Sequence, residues 1–154
     1  MEYPTVKAKI IRIEEGSGYE GKIYDQDVII ELSNGKRIGL FDPDMSVSHD
    51  MLGKIKDITI YVIFATVEKL SKPEYCVQAA ALTKGEYNDP SFGHIFFGKI
   101  EEVNDERHEL FVDIGVGKIM VSPGQEEYKS FQTGDFVKVF ASRTDLFRVY
   151  DWQL

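Results

Sequence analysis

Cysteine is nearly absent: the single Cys76 has no partner for an internal disulfide, which points to a reducing compartment. Long apolar runs are absent too. The longest, ITIYVIFATV, falls well short of the roughly 20 residues a helix needs to cross a bilayer. The opening MEYPTVKAKI lacks the basic segment and apolar core of a secretory signal. A cytoplasmic, soluble protein with no membrane partner is expected. Basic charge is scarce in both halves, with 10 basic against 13 acidic residues in 1–83 and 8 against 13 in 84–154, for a net charge of -8. A chain that binds chiefly by neutralising phosphates carries the opposite balance, so the charge disfavours non-specific nucleic-acid binding.

Catalytic signatures are missing as well. There is no G-x-S-x-G elbow, no P-loop and no H-E-x-x-H. His49, His94 and His108 fall in separate segments without the converging companions that zinc requires. His94 and His108 are at most a surface pair across a hairpin. Asp42 and Asp44, in FDPDM, lack the remainder of a calcium loop and read as solvated turn acids. Cys76, in a strand-like run, reads as a buried thiol. No metal, no cofactor and no enzymatic activity are expected.

What is present is alternation of period two, broken by turn residues from end to end. It predicts strands over 5–13, 27–33, 36–41, 56–66 and 74–82, then over 93–103, 108–114, 117–121, 135–141 and 146–151. Asn34-Gly35 marks a tight hairpin turn of the type that needs positive φ at both residues. Gly115-Val116-Gly117 holds the matching place in the second half, so VIIELSNGKRIGLF and LFVDIGVGKIMVS repeat one pattern. Between the third and fourth strands of each half, DPDMSVSHDMLGK and PGQEEYKSFQTG each have room for a short helix, the first capped by Asp44 or Ser46 and the second over 125–131. The joint falls in TKGEYNDPS, 83–91. The predicted fold is all-β: two small five-stranded barrels in tandem, 1–83 and 84–154, each with at most a short helix. An SH3-like pair or one larger β-sandwich is the alternative.

In the second half, FGKIEEV, LFVDIGVGKIMVS and TGDFVKVFASR resemble an OB-fold barrel and, within that class, the S-one type of RNA-binding domain. The first half shares only the five-strand order. The resemblance implies a ligand face on which Phe111 takes the family's exposed aromatic position. Met120 stands where the family commonly has histidine and lacks a strong hydrogen-bonding group.

The stretch GSGYEG, Gly16 to Gly21, fits G-x-G-x-x-G, yet the residues after it form a β-branched run rather than a helix, so it cannot cradle a dinucleotide. In an OB barrel this connection frames the ligand, which makes Tyr19, Lys22 and Tyr24 candidate contacts; otherwise they fold back on the rim. In Phe96-Phe97 one ring must leave its own core, because strand neighbours point to opposite faces. With Phe96 inward, Phe97 becomes an interface residue toward the other half or, in a homo-oligomer, a second subunit. Lys36, Arg37, Phe41, Lys99, Phe111 and Lys118 make a candidate basic-aromatic stripe of the kind single strands use. The expected function is a non-catalytic binding module with a protein partner. The alternative is single-stranded RNA or DNA binding through the barrel face.

Overall fold

The computed structural model describes residues 3–79, 93–124 and 127–150, so the joint expected over 83–91 lies outside the described residues. The strands are β1 (Val6–Glu15), β2 (Gly18–Tyr19), β3 (Lys22–Ile23), β4 (Gln26–Leu32), β5 (Arg37–Asp42), β6 (Ile55–Ile63), β7 (Thr66–Lys69) and β8 (Cys76–Ala79), then β9 (His94–Asn104), β10 (Glu109–Asp113), β11 (Lys118–Ser122), β12 (Phe136–Ala141) and β13 (Asp145–Tyr150). The only helical turns among the described residues are 3-10 pieces, His49–Met51 and Glu127–Ser130. Neither is long and apolar enough to cross a membrane.

Alternation explains how the strands form. In β1, Val6, Ala8 and Ile10 are buried while Lys7 and Lys9 stay out, and β9 buries His94, Phe96, Gly98 and Ile100 in turn. The expected hairpin at Asn34-Gly35 is present with a different turn. Of that pair only Gly35 has positive φ, 84°. Its amide donates to Leu32 O, and Leu32 N donates to Lys36 O, as in a three-residue hairpin closed by a glycine bulge. The turn with two positive φ values lies instead at Glu20 and Gly21, 51° and 80°, where it joins β2 to β3. Strand β3 follows Gly21, which leaves no helix N-terminus for a pyrophosphate.

Five strands close a barrel in the order β1, β4, β5, β13, β6 and back to β1. Its contacts are antiparallel except between β5 and β13, which run parallel at Phe41 and Asp145. The ring is thus not built from the first half alone: four of its strands precede residue 64 and the fifth, β13, comes from the second half. The reverse crossing occurs as well. Just past Ile63 the chain bends at Phe64, and β7 pairs antiparallel with β12, while β8 pairs with β9. The end of β6 also runs parallel to β11, with Tyr61, Val62 and Ile63 opposite Met120, Val121 and Ser122. One connected cluster of buried apolar side chains spans both halves, from Ile10, Ile30 and Leu40 to Phe96, Ile100 and Val139.

Two polar side chains inside this framework depart from expectation. Asp42 is not solvated. It is fully buried, where its carboxylate accepts from Gln26 Nε2 at 2.8 Å and from the amides of Ser46 and Val47 at 2.9 and 3.0 Å, pinning the turn after β5. His94 is not half of a surface pair with His108. It is fully buried, with Nε2 3.2 Å from Gly39 N and 3.1 Å from Gly39 O, so that the start of β9 meets the outer face of β5. His108 sits at the far end of β9, its ring stacked on Tyr128 at 4.6 Å.

Burial pushes the His94 imidazole down to about 4, against smaller opposing effects of the Gly39 and Gln78 main chain. The folded state therefore resists the proton that the unfolded chain takes up near 6.5. The stability that a neutral, buried His94 contributes is fully present above about pH 6.5 and is lost as pH drops from there toward 4, by on the order of 3 kcal/mol. Urea unfolding of the wild type and of His94→Gln at pH 7.5 and 4.5 checks this. The variant should lose less stability between the two pH values; equal losses would assign the acid sensitivity to other groups.

Candidate functional site

The sequence candidates fall into separate surfaces. On the β2–β3 hairpin, Tyr19 and Tyr24 are exposed at 68% and 51%, Tyr19 stands opposite Lys22, and Lys22 Nζ lies 5.6 Å from the Tyr24 ring centre. These three do come together. The hairpin is tied down where the Asp25 carboxylate accepts from Ser17 N.

The cations of the stripe do not form one basic face, because each of three stands across the ladder from a carboxylate. Arg37 pairs with Glu31 at 3.4 Å, while Lys99 and Lys118 lie on either side of Asp113. Lys36 is exposed in the β4–β5 turn. Phe41 is half-buried under Arg143, whose guanidinium carbon is 4.8 Å from the ring centre. Phe111 is only 8% exposed and lies opposite Met120, which is fully buried, so the pair on the implied ligand face offers no open stacking surface. Phe96 is in the core. Phe97 is half-buried, opposite Cys76 of β8 on one side and Lys138 of β12 on the other. Cys76 is itself half-buried rather than sealed in the core.

Two features have no counterpart among the sequence candidates. The first is the bend between β6 and β7. Phe64 there is 88% exposed with φ of 55°, a left-handed conformation that costs an aromatic residue on the order of 1 to 3 kcal/mol. Its ring separates two open grooves. One, of about 480 Å³, runs between β7 and the 3-10 turn and is lined by Val67, Pro123, Glu127 and Phe131. The other, of about 350 Å³, is lined by Ile63, Ser142, Arg143 and Asp145. Phe140, 43% exposed, lines a smaller hollow beyond Thr66. Strand β7 is the last strand on its sheet path and among the described residues pairs only with β12, which leaves its other backbone edge unpaired there; Thr66 and Val67 of β7 line the larger groove.

The second feature is an aromatic and arginine cluster where β13 meets β6. The Phe147 ring contacts Tyr3 and Tyr61 edge-on at 5.0 and 5.8 Å, and Arg107 and Arg148 both approach Tyr3. Glu109 is 2% exposed, with Oε1 3.2 Å from Arg107 Nε. Burial, and then the hydrogen bond to Glu109, push the Tyr61 phenol up to about 12. Both features assemble from segments far apart in sequence, which no local motif reveals. No local sign marks Phe64 either: alternation through the buried Ile58, Ile60 and Val62 would carry it inward, and the backbone bend turns it out instead.

Among the described residues no group of three or more histidines, cysteines and carboxylates is placed to hold a metal ion. No known family model matches the chain, and no curated protein or solved structure is significantly similar to it, so the functional reading rests on the geometry of these surfaces.

Proposed function

We propose that this chain is a non-catalytic binding module of two OB-like barrels that have traded their last strands, and that it takes an extended segment of a protein partner along β7. The closed ring supports the OB-like reading through its order and its one parallel contact. For the second half, β6 continues through the Phe64 bend into β7 and takes the part that β13 takes in the first. It runs parallel to the third strand, β11, and then antiparallel to the fourth, β12.

The observation that carries the docking reading is Phe64, a large ring held in solvent by a backbone conformation that works against it. Beside it lies a strand edge that is unpaired among the described residues and can pair with one more extended backbone, and a groove of mixed lining, with Val67, Pro123 and Phe131 beside Thr66, Glu127 and Ser130, to seat alternate side chains. Single-stranded nucleic acid through the implied face has less support, since Phe111 and Met120 are buried.

Phe64→Gly separates docking from folding, because glycine accepts positive φ without strain. The variant should keep wild-type thermal stability to within about 1 kcal/mol. It should also lose the stoichiometric protein companion that the wild type retains on affinity capture, and lose the amide protection that the companion confers on β7. A companion held equally by the variant, or bare wild-type protein in every capture, would refute the reading.

A further inference from the structure

The cluster on β13 gathers positive charge that protein docking at Phe64 does not use. Strand β13 carries a bulge between Leu146 and Arg148, and an extra residue of this kind re-aims its neighbours. Leu146 stays in the core opposite Ile60, Phe147 turns out against Tyr3, and Arg148 resumes the ladder opposite Thr59. The exposed Arg148 guanidinium ends 5.1 Å from the centre of Tyr3 and 5.8 Å from that of Phe147. Arg107, from the turn before β10, brings a second guanidinium to the same Tyr3 ring at 5.0 Å.

The two arginines are held differently. Arg107 is fixed from beneath by Glu109, whose buried carboxylate also accepts from the Tyr61 hydroxyl, and it donates to the Tyr3 hydroxyl. Burying a carboxylate is costly unless it is paired, so Glu109 commits Arg107 to one position. Arg148 touches ring faces but forms no ion pair among the described residues. Next to it, Thr59 Oγ1 is fully buried and without a hydrogen-bond partner. Two guanidinium groups on one ring repel each other. Glu109 is paired with Arg107, whereas Arg148 has no carboxylate partner among the described residues.

We propose that Arg107 and Arg148, both within about 5 Å of the Tyr3 ring centre, form a binding site for the oxyanion of a phosphate ester. Guanidinium forks match phosphate oxygens in pairs of charge-assisted hydrogen bonds, and an arginine pinned in advance loses less freedom on binding. The site is separate from the Phe64 face, so either can fail while the other stands.

The test uses the full chain at about 50 mM salt, where phosphate contacts are strong. Aromatic resonances of Tyr3 and Phe147 are followed by NMR during titration with inorganic phosphate, adenosine 5′-monophosphate and a single-stranded oligonucleotide. Saturable shifts are expected for at least one probe, and Arg148→Gln should weaken binding by about tenfold or more. Lys54→Gln, on the exposed turn before β6, should leave it unchanged. Arg107→Lys keeps a cation beside Glu109 and guards against loss of fold, yet should also weaken binding because the fork is gone. Phosphate and mononucleotide binding as tightly as the oligonucleotide identifies a free phosphate ester as the source. Binding of the oligonucleotide alone, with steep salt dependence, identifies a polymer backbone. No shift with any probe, or shifts of equal affinity in Arg148→Gln, overturns the site.

Discussion

A chain that stops at Ala141 should lose the barrel made from its beginning. Removing β13 takes away the partner of β6 from Asp145 opposite Tyr61 to Tyr150 opposite Asp57, together with the parallel contact to β5 at Phe41. Leu146, 2% exposed, leaves the core with it. The inner faces of Ile58, Ile60 and Leu40 then lose their cover, and backbone groups on β5 and β6 lose theirs. A small barrel closed by five strands has no spare strand. The expected loss is the whole stability of that ring, about 5 to 15 kcal/mol for a domain of ordinary size. Hydrogen exchange should show residues 6–42 unprotected although all of them are present. Protection retained in β1, β4 and β5 would mean that the ring closes without β13. Leu146→Ala is the graded version, expected to cost about 2 to 5 kcal/mol in urea unfolding.

Gly98→Ala should be the most damaging single methyl group. Gly98 is buried in β9 opposite Val137, where β9 passes from its partner β12 to its partner β10. A Cβ there would lie 2.0 Å from Asp113 O and 2.9 Å from Asp113 C. These are backbone atoms of β10, held by pairing with both β9 and β11, so they cannot swing aside as a side-chain end could. Relief requires prying β10 from β9, at a cost of about 3 kcal/mol. For a chain of this length that lowers Tm by about 10 °C, which calorimetry resolves easily. A Tm within about 2 °C of wild type would show that β9 and β10 part by the width of a methyl group at little cost.

Both expectations turn on contacts that sequence patterning names unevenly. Alternation finds ten of the strands in place, because each has one face against apolar side chains, as Val6, Ala8 and Ile10 show. It places Phe96 inward for the same reason. It names faces, however, and not neighbours. Nothing in DLFRVY says that its strand lies beside β6 and β5, since that pairing joins Asp145 to Phe41 across most of the chain. The run 56–66 reads as one strand because its bend falls on Phe64, an aromatic with positive φ and no glycine to mark it.

Polar residues mislead in a consistent way. Asp42 in a turn and His94 in an alternating run look solvated, yet both are buried because main-chain groups of distant or following segments meet them. The Arg107 and Arg148 pair is invisible for a related reason. Its ring, Tyr3, comes from the other end of the chain.

Separate expression of residues 1–83 and 84–154, followed by mixing, is the most direct trial of the strand exchange. If each half completes the other, neither fragment alone shows a cooperative urea transition, and an equimolar mixture recovers one transition together with a 1:1 complex. Two fragments that each melt cooperatively on their own, and ignore one another when mixed, would contradict it.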